Sequence, residues 1–193
     1  FIFFESNHSI EKYSYTHLRH TLSNPLLKRV TFVLNFNGGQ LRNFKSEPEI
    51  LTTESALGLI EGLKRSGISV RTIIPERKTC RSACGLLFAS GNDRIASTNS
   101  ITGWHSAIKV GKLEQNNIFD PPSYGWVPSS KGTVWYLDKL AEYGVSEDWI
   151  TKEIVKGTFS QIDIVEYKAG QIENGLVDFY HPSPSDLITC KIN

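Results

Sequence analysis

The sequence is poor in the features that define several large classes of protein. Its 193 residues include no methionine and only three cysteines, and its 21 basic residues nearly balance its 20 acidic ones. Three cysteines are too few for a disulfide-stabilised scaffold. Balanced charge, without basic blocks between aromatic residues, argues against a nucleic-acid partner. The longest apolar runs, such as residues 1–4 and 85–89, are too short to span a bilayer, so we expect no membrane span in this chain.

The composition is that of a globular domain. Hydrophobic residues make up 39% of the chain, which is enough to bury a core at this length. One domain spanning residues 1–193 is therefore the expectation. Because methionine is absent, we also expect a processed or trimmed chain, and a removed targeting segment is compatible with its apolar start.

The cysteines leave two interpretations open. Cys80 and Cys84 are four residues apart, and Cys190 stands alone near the end. The simpler interpretation is that the first two are small buried side chains that pack the start of a helix. The alternative is a disulfide between them, which would indicate an oxidising compartment. Because no second pair of ligands accompanies them, we expect no metal site, and no motif indicates a cofactor.

Strand-like and helical segments alternate along the chain. Runs of β-branched and aromatic residues predict strands, and apolar residues at helical spacing predict helices. The predicted strands are 1–4, 29–36, 68–74, 93–97, 100–103 and 175–179. The predicted helices are 14–22, 53–64, 82–89, 134–143 and 147–156. This alternation predicts an α/β layered fold with a mostly parallel sheet flanked by helices.

One segment departs from this alternation. Residues 109–131 are rich in Gly, Pro, Asn and Ser, and we interpret them as an irregular excursion from the domain. Loops of this length within compact domains tend to be functional or mobile. We expect the excursion to cover or gate a site.

Three motifs with catalytic potential each come just after a predicted strand. They are the glycine pair Gly38-Gly39, Ser82 at a strand-to-helix turn, and His105. In parallel sheets, sites collect where the carboxyl ends of the strands meet. We therefore expect the three motifs to converge on one edge of the sheet.

Together these residues provide the groups that acyl transfer needs. Ser82 is a poor nucleophile until a base takes its proton, and His105 is the histidine placed to do so. The amide of Ala83, in the first turn of the predicted helix, would stabilise a developing oxyanion. Gly39 is the candidate second donor, because a residue without Cβ lets the backbone approach a substrate closely.

Each motif also has a structural interpretation. Serine is favoured at the start of a helix, so Ser82 alone would be read as an ordinary N-cap. The glycine pair alone would be a plain turn. His105 alone would be a half-buried structural histidine. The case for a site rests on all three occurring in this order.

In this order the motifs resemble the proteolytic subunit of Clp protease and its relatives in the ClpP/crotonase superfamily. The resemblance is carried by residues 33–39, 80–84, 88–94 and 103–105, and it covers roughly residues 1–106. The last three of these segments are most similar to periplasmic Clp-like proteins of bacteria. The resemblance implies a layered ClpP/crotonase-like fold and a periplasmic or secreted location.

The resemblance also implies a Ser–His–Asp peptidase acting on a peptide or protein. By position, Ser82 matches the nucleophile and His105 the general base. Gly39 and Ala83 match the residues whose amides form the oxyanion hole. Asp163 falls on the third member of the triad; its alternative interpretation is a solvated aspartate at the start of a helix.

Two departures from the family bear on function. Arg81 stands where Clp protease has a small residue, which brings a cation beside Ser82. Residues 109–131 do not match the long helical handle through which Clp subunits stack their rings. We therefore expect a monomer, a dimer or a small ring, so a homo-oligomer stays open.

Two further functions stay open beside a serine hydrolase. One is a Clp-like protein, weakly active or inactive, that binds peptides or a protein partner. The other comes from the crotonase side of the superfamily, where paired amides hold the enolate of an acyl-CoA thioester. A Ser–His pair is not what that chemistry needs, so it is the least favoured.

Overall fold

The computed structural model describes residues 2–5, 14–39, 51–97, 99–112 and 124–168. The helices are α1 (Tyr15–Leu22), α2 (Thr53–Arg65), α3 (Ala83–Ala89), α4 (Ser130–Glu142) and α5 (Glu147–Val155). The strands are β1 (Ile2–Glu5), β2 (Arg29–Asn37), β3 (Ser69–Ile74), β4 (Thr79–Arg81), β5 (Asp93–Ala96), β6 (Ile101–Trp104), β7 (Ile108–Lys112), β8 (Tyr124–Pro128) and β9 (Val165–Lys168). Within these ranges, no helix is long and apolar enough to span a membrane.

Seven of the strands form one sheet. Its order is β5-β3-β2-β4-β6-β9, and β1 also pairs with β2. All the pairings are parallel except the last, in which β9 runs antiparallel to β6. Strand β2 is the longest and joins the two halves, because its first part pairs with β1 and β3 and its last two residues pair with β4. The predicted α/β layered fold with a mostly parallel sheet is confirmed.

Helix α2 illustrates how the sequence fixes these elements. Thr52 caps it, accepting a hydrogen bond from the backbone N–H of Ser55. Its buried side chains recur at helical spacing and face the sheet: Thr53, Ala56, Leu57, Ile60 and Leu63. After the last turn, Gly67 adopts a φ of +76°, which glycine allows at little cost.

The core lies between the sheet and the helices. Phe4 of β1 stacks on Phe32 of β2 and meets Phe36 edge-on. Helix α3 packs on the centre of the sheet, and all seven of its residues are buried. A helix that is apolar all round is expected at such a position. Because α3 begins directly after β4, this packing fixes the turn in which Ser82 lies.

The structure corrects one of the expectations, adds two strands and leaves one predicted strand untested. The interpretation of residues 109–131 as irregular is wrong at both ends, since β7 and β8 pair there as an antiparallel ribbon and α4 begins at Ser130. Strands β4 and β9 were not predicted as separate elements. The predicted strand 175–179 lies outside the described residues.

Candidate active site

Ser82 lies at a sharp turn between β4 and α3. It directly precedes the first residue of the helix, with φ +57° and ψ −123°. A positive φ is uncommon for a residue with a side chain and costs on the order of 1–3 kcal/mol. Two hydrogen bonds hold the backbone there: the N–H of Ser82 donates to Gly103 O at 2.7 Å, and the N–H of Gly85 donates to Ser82 O at 2.9 Å.

The hydroxyl of Ser82 does not cap its helix. The other four helices begin with a serine or threonine whose side chain accepts the backbone N–H three residues on: Ser14, Thr52, Ser129 and Ser146. Ser82 makes no such bond. The interpretation of Ser82 as an ordinary N-cap is therefore wrong, and its hydroxyl is not used by the first turn of α3.

The carboxyl ends of the parallel strands β2, β4 and β6 meet at this turn with the amino-terminal part of the antiparallel strand β9. Asn37 of β2 pairs with Arg81 of β4, Arg81 pairs with Gly103 of β6, and Gly103 pairs with Glu166 of β9. We call these four residues the edge row. Strands β2, β4 and β6 are parallel, so their chains continue past the edge row in the same direction. Neighbouring strands of a sheet lie ~4.8 Å apart. Hydrogen bonds from the Gly38 N–H to Arg81 O and from the Ser82 N–H to Gly103 O continue this pairing for one residue on β2 and β4.

The glycine pair follows the edge row on β2. Gly38 has φ +76° and donates its N–H to Arg81 O at 3.1 Å. That bond extends the hydrogen bonding between β2 and β4 by one residue. The amide of Gly39 is therefore the first one beyond the paired part of the two strands. The amide of Ala83, at the first position of α3, is one of those that a helix leaves without an internal partner.

His105 follows the edge row on β6 and is partly buried. Burial lowers the pKa of His105 below its ordinary value of 6.5, and a backbone hydrogen bond with Ser106 partly offsets this. The imidazole is therefore mainly neutral at pH 7, which is the form that accepts a proton. Its Nδ1 atom is buried and has no hydrogen-bond partner among the described residues.

Asp163 lies on a segment fastened beside His105 but does not hold its ring. The N–H and hydroxyl of Ser106 both donate to Gln161 O, at 3.1 and 2.7 Å, and Val165 pairs with Trp104. Asp163 is exposed between these two attachments. The residues after it form β9, so the alternative of a helix starting there is wrong.

The cation of Arg81 is neutralised within the edge row. Its Nε lies 2.5 Å from Oε1 of Glu166. The Arg81 side chain passes over Gly103, where an added Cβ would lie 2.8 Å from Arg81 Cγ and 2.5 Å from Ile164 Cγ2. Arg81 therefore extends toward β9, and Gly103 leaves the room for it to do so.

A disulfide brackets Ser82. Cys80 and Cys84 are joined, with their Cα atoms 5.0 Å apart, and both side chains are fully buried. The simpler interpretation of two unlinked cysteines is therefore wrong, and the alternative is correct. The bond ties the middle of β4 to the first turn of α3, which closes the turn at its base.

A pocket adjoins the segment that follows His105. Ala107 donates its N–H to Thr133 Oγ1 at 3.0 Å and accepts the N–H of Ser129 at 2.6 Å, which joins the segment to the start of α4. The pocket has a volume of about 320 Å³. Its lining mixes apolar and hydroxyl side chains: Pro128, Ser130, Thr133, Val134, Phe159 and Ser160.

Sequence reasoning missed two residues of this neighbourhood. Glu166 carried no local signal, because its partner Arg81 is distant in the chain. Tyr136 carried only the helical spacing of a core residue, yet its hydroxyl donates to Ser82 O at 3.1 Å. The role of Glu166 cannot be predicted without knowing that β6 pairs with β9. The role of Tyr136 cannot be predicted without knowing that α4 packs on α3.

No family model and no curated protein matches the sequence. Several solved structures share its fold. A Plasmodium falciparum peptidase aligns with a TM-score of 0.56 and 10% identity, covering 94% of this chain and 95% of its own. The ClpP protease catalytic domain of Plasmodium falciparum gives 0.56 and 14%, covering 95% and 88%. The membrane-bound stomatin-specific protease 1510-N gives 0.60 and 12%, covering 94% and 79%.

These likenesses establish the fold and nothing finer. The chain has a ClpP-like fold, as the order of its motifs predicts. At 10–14% identity, the likeness does not carry an activity over to this chain.

Proposed function

We propose that this protein is a serine hydrolase that cleaves peptide bonds. Ser82 Oγ attacks the scissile carbonyl while His105 takes its proton, and His105 then returns that proton to the leaving amine. The amides of Gly39 and Ala83 donate to the oxyanion that forms in between. No metal or cofactor enters this scheme.

One observation carries the proposal, and it is the conformation of Ser82. Its positive φ is kept although it costs free energy, and its hydroxyl is left out of the capping role that four comparable residues perform. Strained backbone that the surroundings hold in place is typical of functional sites. A sharp strand-to-helix turn that exposes a serine hydroxyl is also the arrangement of other serine hydrolases.

The position and protonation of His105 support the same mechanism. His105 follows β6, the strand next to β4. It lies two residues after Gly103 of the edge row, whereas Ser82 lies one residue after Arg81. Burial lowers its pKa, so a neutral base is available at pH 7. We propose Asp163 as the acid that orients the ring, after a movement of the segment between Gln161 and Val165.

The substrate and location are proposed on separate grounds. The similar structures are peptidases, which favours a peptide or protein substrate. The bond between Cys80 and Cys84 favours an oxidising compartment, in keeping with a periplasmic or secreted protein. A small homo-oligomer is proposed on the resemblance alone.

A second candidate is a protein of this fold that binds peptides without cleaving them. The observation that favours it is His105 Nδ1, which is buried without a partner where a triad acid would hold it. This candidate predicts a peptide affinity that survives Ser82→Ala and no turnover. The proposed hydrolase predicts turnover that this substitution abolishes.

The test is covalent labelling with a fluorophosphonate, followed by identification of the modified residue. We expect modification of Ser82, and we expect Ser82→Ala and His105→Ala to abolish it. Ser146→Ala is the matched control, because its hydroxyl caps α5 by accepting the N–H of Trp149. It should cost about 1 kcal/mol of stability and leave labelling unchanged. Failure of the folded wild-type protein to react would refute the hydrolase.

A further inference from the structure

The geometry points to Tyr136 as a positioning residue for Ser82: its buried hydroxyl, bound to the Ser82 carbonyl, keeps the nucleophile in its reactive backbone conformation. This inference rests on the proposed function and extends it to a residue of α4. Tyr136 touches neither the substrate nor the reacting atoms. It acts through the backbone of Ser82.

The contact is direct. The hydroxyl of Tyr136 donates to Ser82 O at 3.1 Å, and the same oxygen accepts the N–H of Gly85 at 2.9 Å. On the other side of the residue, the N–H of Ser82 is bound to Gly103 O. Both peptide groups that flank the φ and ψ angles of Ser82 are therefore held by hydrogen bonds. Of the two bonds that the Ser82 carbonyl accepts, Tyr136 supplies the one that comes from outside α3.

The position of Ser82 explains why such a contact is needed. With φ at +57°, the residue lies in a sparsely populated region that persists only where the surroundings enforce it. The Cys80–Cys84 bond closes the turn at its base. Helix α3 has only two turns, and Ser82 gives it no side-chain cap. The Tyr136 hydroxyl fixes the carbonyl from outside the turn.

Tyr136 is itself rigidly placed. It is 4% exposed, and its ring meets Trp104 edge-on, with centroids 6.3 Å apart, and packs on Phe159 at 6.1 Å. Offset and edge-on aromatic contacts of this kind fix ring orientation. Burial also raises the pKa of Tyr136 far above its ordinary value of 10, so the hydroxyl keeps its proton and donates throughout the accessible pH range.

The same aromatic contacts reach the residue before the base. Trp104 directly precedes His105, and its indole lies so close to Gly85 that an added Cβ there would be 2.8 Å from Cη2. Tyr136 thus contacts the nucleophile's carbonyl through its hydroxyl and the residue before the base through its ring. One side chain of α4 thereby supports both halves of the proposed site.

Tyr136→Phe removes the hydroxyl and keeps the ring. If Tyr136 positions Ser82, the limiting rate of fluorophosphonate labelling should fall by about tenfold or more, while the concentration for half-maximal rate stays the same. The pH dependence should not move, because His105 is untouched. A role confined to stability would lower the melting temperature and leave the labelling rate of the folded protein unchanged.

Tyr143→Phe is the matched control. Tyr143 directly follows α4, is buried, and donates its hydroxyl to Glu61 Oε1 at 2.7 Å, so the substitution also removes a partly buried hydroxyl bond. It should lower stability without changing the labelling rate. Both variants are also made with Gly62→Ala, which fills open space in the interior of α2 and offsets a loss of stability.

The outcomes separate the two claims. Equal limiting rates for Tyr136→Phe, Tyr143→Phe and the wild type would overturn the positioning role and leave the hydrolase intact. A folded wild-type protein that does not react at all would overturn the hydrolase, and the positioning role with it. A fall in rate confined to Tyr136→Phe is the result we expect.

Discussion

Arg81 of β4 and Glu166 of β9 form an ion pair across the strand between them, with Nε and Oε1 2.5 Å apart. Both side chains are partly exposed, and an isolated pair of this kind contributes little to stability. Its main effect is on the direction of the Arg81 side chain. Arg81 is on β4 and directly precedes Ser82, yet its side chain extends sideways toward β9. Gly103 makes this possible, since it lies beneath the pair in the edge row.

Gly103→Ala should therefore be costly. The added Cβ would meet Ile164 Cγ2 and Arg81 Cγ, so both side chains and the segment before β9 would have to shift. We expect the free energy of unfolding to fall by about 1–3 kcal/mol, measured by urea denaturation. Gly62→Ala is the control, because that position in α2 is open; it should add about 0.5–1 kcal/mol. Equal effects of the two substitutions would contradict this account of Gly103.

The disulfide makes a chemical prediction. Alkylation of the denatured protein without a reductant should leave Cys80 and Cys84 unmodified, as peptide mass spectrometry would report. Replacing both by alanine should lower the free energy of unfolding by about 2 kcal/mol, because the closed loop is short. It should also slow labelling of Ser82, which lies inside that loop. Modification of both thiols without reduction would contradict the bond.

The labelling rate should depend on pH through His105. The neutral imidazole is the base, so protonation at low pH stops the reaction. Because burial lowers the pKa of His105, the rate should reach half its maximum below pH 6.5. A rate profile from pH 4 to 8 measures this directly. A midpoint above 6.5 would mean that an acid already stabilises the charged ring, in conflict with the unpartnered Nδ1.

Glu153 predicts a second pH effect, on stability. It is 1% exposed and binds Lys156, Thr158 and Tyr167, which ties the segment bearing Asp163 to α5. Burial alone would raise the pKa of this carboxyl, but the hydrogen bonds to it outweigh burial and lower the value. Its stabilising effect is therefore complete above the unfolded pKa of about 4.5 and is lost as the pH falls through the lower folded value.

Glu153→Gln tests this effect, because an amide nitrogen cannot accept the bonds that the carboxylate accepts. We expect the variant to lose about 1.5–3 kcal/mol at pH 7, measured by urea denaturation. The difference from the wild type should shrink below pH 4. A difference that is the same at pH 7 and pH 3 would show that the charge of Glu153 does not matter.

Much of the fold could be predicted because its signals are local. The stripe of α2 and the apolar residues of β2 and α3 follow from periodicity within one segment. Strand β4 has only three residues, too few to show a period, and it is defined by its partners β2 and β6. The ribbon of β7 and β8 was hidden by glycine and proline, although the exposed residues at every second position of β8 are typical of a strand.

The site, like the fold, could be predicted only where its signals lie within one segment of the sequence. The order of the glycine pair, Ser82 and His105 along the chain predicted a shared sheet edge, although β4, the strand that Ser82 follows, was not predicted. Spacing alone could not give the disulfide, because four residues would fit a helical turn equally well. The two bonded cysteines flank Ser82, whose φ is positive. That angle depends on bonds to Gly103 and Tyr136, which only the folded chain supplies.

The most direct measurement is a crystal structure of the protein after reaction with a fluorophosphonate. We expect the phosphorus on Ser82 Oγ, its oxygen within hydrogen-bond distance of the Gly39 and Ala83 amides, and a His105 ring nitrogen beside the modified oxygen. Phosphorus bound to any other residue, or an oxygen directed away from both amides, would contradict the proposed active site.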